Sequence, residues 1–208
     1  LRADTAALAA LTAADLGRAF QISDKNPLVG LAGRAAVLNG LGRAFAARGW
    51  RPGELYDRLA EEAEAGRLPA RAILLAVLDA LALSDVGRHP KAPGEGPSAG
   101  LIPFHKLSQW LSYSLIEPLE RAGLTVTEQD GLTGLAEYRN GGLFIDSGVL
   151  EVRDEVVLGE TWPAGSELVV EWRALTVALL DRLAPLVRER LGLGPAELPL
   201  GAVLQGGS

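Results

Sequence analysis

Prolines at the starts of apolar segments divide the first 83 residues into a series of helices, and this pattern of helix starts constrains the fold more than any other feature. Asn26-Pro27 is typical of a helix start, because a polar cap precedes a proline that fits the first turn. Arg51-Pro52 and Pro69 mark two further starts, and Asp4 caps the first run. We therefore predict helices over about 4–20, 27–48, 52–66 and 70–83.

A segment rich in glycine and proline, residues 84–100, follows these helices and contains His89. Its composition is typical of a mobile loop or linker. Residues 1–100 carry 12 basic and 11 acidic side chains, whereas residues 101–208 carry 8 and 15, together with 7 of the 11 aromatic ones. Carboxylates and aromatic rings build small-molecule sites, so we expect the site in the second half. A half that is richer in β-structure would show the same aromatic bias without a site.

The second half combines helices with short apolar pieces. Pro103 and Ser166 mark helix starts, and the short apolar pieces between them are separated by turns such as Asn140-Gly141-Gly142. We predict helices over 103–121 and 167–191, a strand over 124–127 and a small antiparallel arrangement over 133–157. The fold class is therefore mainly α with a small antiparallel β element (α+β) in the second half. We expect the regions 1–83, 84–100 and 101–208 to form one compact unit.

Composition and missing motifs exclude several functional classes. The net charge of −6 opposes a nucleic-acid partner, and no apolar stretch reaches the roughly 18 residues of a membrane span. Cysteine is absent and only two histidines occur, which argues against Cys- or His-based metal sites. The chain also lacks a P-loop and a dinucleotide glycine fingerprint. We therefore expect a cytoplasmic protein with no metal and no cofactor, acting on a small molecule.

Four uncharged or weakly charged polar residues share one face of the helix that begins near Pro103. They are His105, Ser108, Gln109 and Ser112. The last three follow His105 by three, four and seven positions, which is the spacing of residues on one face of a helix. Such a face lines a polar cavity or simply faces solvent. Trp110 and Tyr113 lie on a different face of the same helix.

The segment Glu137-Tyr138-Arg139-Asn140 places a carboxylate, a phenol, a guanidinium and an amide before a double glycine. An arginine side chain can make two parallel hydrogen bonds to a phosphate or carboxylate group, and glycine lets a backbone approach a ligand closely. If 143–145 is a strand, Glu137 and Asp146 lie at its two ends and face one cavity. The alternative is a hairpin turn with an internal Glu–Arg pair.

Glu171 lies in a segment that is apolar almost all round, Leu168 to Leu175. We expect its carboxylate to be partly buried, and a buried carboxylate needs a partner or a raised pKa. Arg139 or His105 is a better candidate partner than Arg173, which points elsewhere. A catalytic role and a structural ion pair are equally compatible with the pattern.

Three ungapped blocks resemble the uracil-catabolism family of the Urc-four type, found in fungi and bacteria. The blocks are GLIPFHKLSQWLSYSLIEPL at 100–119, LTGLAEYRNGGL at 132–143 and VVEWRALT at 169–176. Residues 21–34 and 204–208 are similar as well, so the resemblance covers the whole chain. Members of that family are about twice as long, which implies that this chain corresponds to the C-terminal part of a larger protein. A weaker likeness, through Glu137-Tyr138-Arg139, is to queuosine-nucleotide N-glycosidases.

The resemblance implies an enzyme of uracil breakdown, and we expect hydrolysis of the N-ribosyl bond of a ribosylurea-type intermediate. Such a reaction passes through an oxocarbenium-like state that a carboxylate stabilises. On this hypothesis the catalytic carboxylates are Glu137 or Asp146, with Glu171 in reserve. The remaining contacts to the N-riboside or its phosphate are assigned to His105, Lys106, Gln109, Trp110, Tyr138, Arg139 and Asn140.

Two alternatives remain open at this point. In one, the chain is a non-catalytic partner of the uracil ring-opening enzyme, or of other enzymes of the same route, and shields an unstable intermediate. In the other, it is the structural half of a larger enzyme whose chemistry lies elsewhere. Scattered rather than convergent blocks would favour the structural alternative.

Overall fold

A computed structural model describes residues 3–81 and 85–206, and within these ranges the chain is mainly helical. This confirms the predicted fold class. The helices are α1 (Thr5–Ala10), α2 (Ala13–Ala19), α3 (Leu31–Arg48), α4 (Glu54–Glu62), α5 (Ala70–Leu81), α6 (Lys106–Arg121), α7 (Tyr138–Asp146), α8 (Glu167–Leu191) and α9 (Leu200–Gln205). The strands are β1 (Arg67–Pro69), β2 (Val86–Arg88), β3 (Leu101–Pro103) and β4 (Thr125–Thr127).

The amino-terminal region contains two short helices where one long helix was predicted. Asp4 caps α1 as expected, accepting a hydrogen bond from the Ala7 backbone N–H at 2.9 Å. Thr12 then starts α2 with a capping box that includes Asp15, which separates the two helices. The next helix begins at Leu31 instead of Pro27, because Gly30 in a left-handed conformation precedes it.

The largest core lies between α4, α5 and α6, together with a two-stranded parallel sheet. Strand β1 pairs with β4, so that Leu68 stands opposite Val126. Both of these side chains are buried, as is Ile73 on α5. The strand at 125–127 was predicted, whereas its parallel partner β1 lies between two predicted helices, where no strand was expected.

The antiparallel sheet has its first strand, β2, inside the predicted linker and its second strand, β3, directly after the linker. Strand β2 pairs with β3, and Gly87 stands opposite Ile102. A Cβ atom at Gly87 would lie 2.8 Å from atoms of Phe104 and Val170, so glycine allows this sheet to pack closely against α8. The described part of residues 84–100 is therefore not a simple loop. Residues 82–84, which were predicted to end one helix and start the linker, lie outside the described residues.

The predicted antiparallel arrangement over 133–157 is wrong, because residues 138–146 form the helix α7. Asn140, Gly141 and Gly142 favour a turn when only local propensity counts. Tertiary packing decides otherwise. Phe144 is buried in a cluster with Leu180 of α8, and a helix is the conformation that brings it there.

Helix α8 was predicted correctly, and it carries the carboxyl-terminal part of the fold. Its buried Arg188 makes two hydrogen bonds to Asp130, at 2.6 and 2.8 Å, and one to the Leu198 carbonyl at 2.8 Å. Asp130 also accepts from the backbone N–H of Leu200 at 3.2 Å. These contacts position α9 beside α6 and α8.

Candidate functional site

Glu137 lies at the centre of the candidate site because it caps α7 and also contacts α6. Its Oε1 accepts a hydrogen bond from the Tyr138 backbone N–H at 3.0 Å. Its Oε2 lies 2.6 Å from Nζ of Lys106, the first residue of α6. The carboxylate is thus held by one bond at each oxygen, in a fixed orientation.

A groove of about 790 Å³ opens on one side of Glu137, and we refer to it as the large groove. Two exposed aromatic side chains, Trp110 at 54% and Tyr138 at 64% exposure, lie at its edge and provide flat apolar surfaces. Helices α6, α7 and α9 supply the walls. Of the predicted site residues, the groove is lined by Trp110, Glu137, Tyr138, Arg139 and Asn140.

A smaller cavity of about 210 Å³, the small pocket, lies on the other side of Glu137 and Tyr138. Helix α8 forms its far wall. It is lined by Lys106, Ala136, Glu137, Tyr138, Val169, Trp172, Arg173 and Thr176. Glu137 and Tyr138 are the two residues that both cavities share, so the carboxylate borders both of them.

Asp85, which directly precedes strand β2, also helps to position Lys106 and Arg173. The sequence did not point to this residue. Its carboxylate receives two hydrogen bonds from Arg173, at 2.6 and 3.0 Å, across a separation of 88 residues. It also accepts from the Lys106 backbone N–H at 3.2 Å, which fixes the start of α6. Arg173 stacks over the Phe104 ring at 4.0 Å. No local signal in the sequence marks such a long-range pair.

Both carboxyl groups remain ionised at neutral pH. Burial raises the pKa of Glu137, but the hydrogen bond and charge of Lys106, with smaller effects of the Tyr138 N–H and Arg139, hold that pKa below its usual range. At Asp85 burial also raises the pKa, while the hydrogen bonds from Arg173 and the Lys106 N–H hold it lower. Both carboxylates therefore keep their negative charge, and each is paired with a cation, Glu137 with Lys106 and Asp85 with Arg173.

The polar face of α6 neither lines a cavity nor faces solvent. Ser108, Gln109 and Ser112 are buried, and Gln109 accepts a hydrogen bond from the Thr133 N–H at 3.3 Å. His105 adopts a left-handed backbone conformation just before the helix, and its Nδ1 accepts a hydrogen bond from the Asp85 N–H at 3.4 Å. Gln109 and His105 line neither cavity and hold the surrounding loops in place. Neither residue is therefore placed to make its predicted contact with an N-riboside or its phosphate bound in the large groove or the small pocket.

Asp146 lies at the opposite end of α7 from Glu137. Asp146 follows Glu137 by nine positions, which corresponds to about 13.5 Å along the axis at about 1.5 Å per residue. Asp146 is exposed and lines neither cavity. The two carboxylates therefore do not face one cavity, because the expected strand is a helix.

Glu171 also lines neither cavity. Half of its side chain is exposed, and the nearby group is His89, whose Nε2 lies 3.8 Å from Glu171 Oε2 and 3.6 Å from Glu167 Oε1. The expected partners, Arg139 and His105, are not the ones observed. His89 itself is buried, which corrects its assignment to a mobile linker.

Residues 3–81 and 85–206 contain no group of three or more His, Cys, Asp or Glu side chains arranged to hold a metal ion. None of the helices within them is both long and apolar enough to cross a membrane.

Comparison with known proteins gives matches over the whole chain. A family model described as a protein of unknown function (DUF1688) matches residues 1–208. Protein urg3 of Schizosaccharomyces pombe is 38% identical over 218 residues, covering 99% of this chain and 53% of that protein. Uracil catabolism protein 4 of Lachancea kluyveri is 35% identical over 246 residues, covering 97% and 55%. The resemblance predicted from the three blocks is confirmed, and the chain spans about half the length of these curated relatives.

Proposed function

The chain belongs to the DUF1688 family, and from this premise we propose that it takes part in uracil catabolism. The name of the Lachancea kluyveri relative supports this role. We further propose that the large groove binds an N-riboside and that Glu137 promotes hydrolysis of its N-ribosyl bond. A ribosylurea-type compound or its phosphate is the substrate class.

One observation carries the proposal: five of the predicted site residues line one groove around an ionised carboxylate. Trp110 and Tyr138 offer flat surfaces to the apolar face of a ribose or to a planar group. Arg139 is exposed at the groove and suits a phosphate or ribose hydroxyls. These contacts bind the ligand, while Glu137 supplies the charge.

In the proposed reaction the C1′–N bond breaks and a water oxygen bonds to C1′. The departing nitrogen gains a proton and leaves as urea. One proton of the water is therefore found in urea, and its hydroxyl group is found on C1′ of the ribose. Positive charge develops on the ribose ring in the transition state, and the Glu137 carboxylate stabilises it. The lowered pKa of Glu137 makes it a weak base, which favours electrostatic stabilisation over proton abstraction.

The alternative function, binding without turnover, is favoured by the Lys106–Glu137 ion pair. Because Lys106 already neutralises the carboxylate at 2.6 Å, the pair can bind a polar ligand without acting on it. A chain that shields an unstable intermediate for other uracil-catabolism enzymes needs no more than this. The two functions differ in whether urea is released.

The test is urea release from ribosylurea and its 5′-phosphate, followed by mass spectrometry. We expect release by the unmodified chain and a loss of about two to four orders of magnitude in rate for Glu137→Gln, the scale of a lost transition-state charge. Asp146→Asn, at the other end of α7, is the matched control and should retain full activity. Full activity in Glu137→Gln contradicts the catalytic role. Binding of ribosylurea without any release, by this chain and by the full-length Schizosaccharomyces pombe relative, supports the alternative.

A further inference from the structure

Asn140 is an asparagine whose side chain has no hydrogen-bond partner among the described residues. The two other asparagines of the chain each donate to two backbone carbonyl groups, Asn39 at 2.9 Å to both and Asn26 at 3.0 and 3.2 Å. The Asn140 carboxamide makes no such bond, although only 6% of this residue is exposed. A buried amide without a partner is destabilising, because it loses hydrogen bonds to water and gains none. Stability therefore gives no reason for an amide at this position.

The Asn140 carboxamide is accessible from the large groove. Asn140 lines this groove and does not line the small pocket. Among the described residues, the side-chain atoms that are fully enclosed without a hydrogen bond belong to His89, Ser108, Ser166 and Trp172, and not to Asn140. Both amide atoms of Asn140 therefore keep some accessible surface, and a ligand in the groove can contact them.

Asn140 and Glu137 lie on one face at the start of α7. Glu137 caps this helix and Asn140 follows it by three positions, a spacing that brings the two Cβ atoms to about 5–6 Å from each other. Both residues line the large groove. The two side chains therefore contact neighbouring parts of the same ligand.

The charges near Asn140 disfavour an anion. The Glu137 carboxylate is ionised at neutral pH, and its cation Lys106 is already bound at 2.6 Å. A phosphate beside Asn140 would face this carboxylate and the amide oxygen Oδ1, neither of which can donate a hydrogen bond to it. A neutral group meets no such repulsion, and Arg139 remains the residue of the groove that suits an anion.

A pair of neighbouring hydroxyl groups is the neutral partner that fits the Asn140 amide. One hydroxyl oxygen accepts from Nδ2 and the other hydroxyl donates to Oδ1, so both amide atoms are satisfied. The planar part of a ligand has flat partners elsewhere, since Trp110 and Tyr138 lie at the exposed edge of the groove. The buried Asn140 is left for a part of the ligand that is not planar and carries hydroxyl groups.

We propose that Asn140 binds the 2′- and 3′-hydroxyl groups of a ribose and thereby selects ribosides over 2′-deoxyribosides. This inference rests on the proposed function, which places C1′ of the ribose next to Glu137 and hence the 2′-hydroxyl on the adjoining carbon. Nδ2 donates to the 2′-hydroxyl oxygen, and Oδ1 accepts from the 3′-hydroxyl. A 2′-deoxyriboside leaves Nδ2 buried without a partner, and a site with an unpaired polar group rejects such a ligand.

The test compares urea release from ribosylurea with release from 2′-deoxyribosylurea. The variants are Asn140→Leu, which replaces the amide with an apolar group of similar size, and Gly142→Ala, where a Cβ atom meets nothing within 4 Å. We expect the ratio of kcat/KM for ribosylurea over 2′-deoxyribosylurea to fall about ten- to hundredfold in Asn140→Leu and to stay constant in Gly142→Ala. The different intrinsic reactivity of the two compounds cancels, because each variant is compared with the unmodified chain.

The ratio distinguishes recognition of the hydroxyl group from a structural role of Asn140. A structural role would lower kcat/KM equally for both compounds, so an unchanged ratio in folded Asn140→Leu overturns the inference. If Asn140→Leu does not fold, Asn140→Ala, which is smaller and favours a helix, takes its place with the same expectation.

The same two compounds separate this inference from the proposed reaction. If the unmodified chain releases no urea, the proposed hydrolysis fails, and dissociation constants measured by calorimetry replace kcat/KM. Binding of ribosylurea that is about tenfold or more tighter than that of 2′-deoxyribosylurea, with the difference lost in Asn140→Leu, then supports the inference. Equal affinities, or no binding of either compound, overturn it.

Discussion

The Glu137 carboxylate lies 2.6 Å from the Lys106 ammonium group at the boundary between the large groove and the small pocket. Lys106 starts α6 and Glu137 caps α7, so this ion pair connects the amino-terminal ends of two helices. The positive ends of both helix dipoles also favour a negative charge at this position. The charge at the site is thus set by backbone geometry as well as by a side-chain partner.

Removing Lys106 is expected to shift the acid limb of the pH–rate profile to higher pH. Lys106 holds the pKa of Glu137 low against the effect of burial, so Lys106→Met lets that pKa rise. Activity that needs ionised Glu137 then declines at a higher pH than in the unmodified chain. The pH dependence of kcat/KM for urea release measures this, and a carboxyl titration by NMR gives the same quantity without turnover. Lys25→Met is the control, and an unmoved Glu137 titration would contradict the prediction.

Asp85→Asn is expected to lower stability at neutral pH by about 1–2 kcal/mol. The amide cannot accept both charge-assisted hydrogen bonds from Arg173, and partial exposure moderates the loss. The folded-state pKa of Asp85 is lowered, so its contribution is present above the unfolded value of about 3.8 and is lost as pH falls through the folded value. Urea denaturation at neutral pH and at decreasing acidic pH tests this.

The control for Asp85 is Asp24→Asn, in an exposed turn. It should have little effect on stability at any pH. The decisive comparison is the difference in free energy of unfolding between the unmodified chain and Asp85→Asn. That difference should shrink as pH falls below about 4. A difference that does not depend on pH would contradict the assigned ion pair.

Gly42→Ala and Gly40→Ala are expected to change stability in opposite directions. A Cβ atom at Gly42 would lie 2.3 Å from the Ala9 backbone nitrogen, so α1 and α3 would have to separate. Gly40, on the same helix, meets nothing within 4 Å, and alanine there should stabilise by about 0.5–1 kcal/mol. Thermal unfolding of the pair measures both effects. Equal melting temperatures would show that α1 does not pack against Gly42 in solution.

Arg188→Met is expected to destabilise the protein by about 2–3 kcal/mol and to loosen α9. The cost is below that of a fully buried pair because Asp130 is partly exposed, although Arg188 itself is buried. The Leu198 carbonyl also loses its donor. Hydrogen exchange over 200–205 should accelerate, and the groove wall formed by α9 should become mobile. Arg182→Met, an exposed substitution on the same helix, is the control and should leave exchange in α9 unchanged.

Local signals predicted the elements that are marked by a helix cap or by a short run of β-branched residues. The cap at Asp4, the start of α8 after Ser166 and the strand at 125–127 follow from such signals, and the structure has all three. The group Glu137 to Asn140 was also found from sequence, since four functional groups next to each other need no long-range information. These four residues all line the large groove.

The amino-acid sequence by itself determined the approximate bounds of α6 and α8 and marked Glu137 to Asn140 as a candidate site, because capping and side-chain identity are local properties. Only the tertiary structure decided that 138–146 is a helix, because Gly141 lets α7 pack closely against Trp172 and Thr176 of α8. The same packing placed Asp146 away from Glu137 and brought Asp85 to Arg173 over 88 residues. Contacts across such distances depend on how whole helices pack, and no local pattern records that.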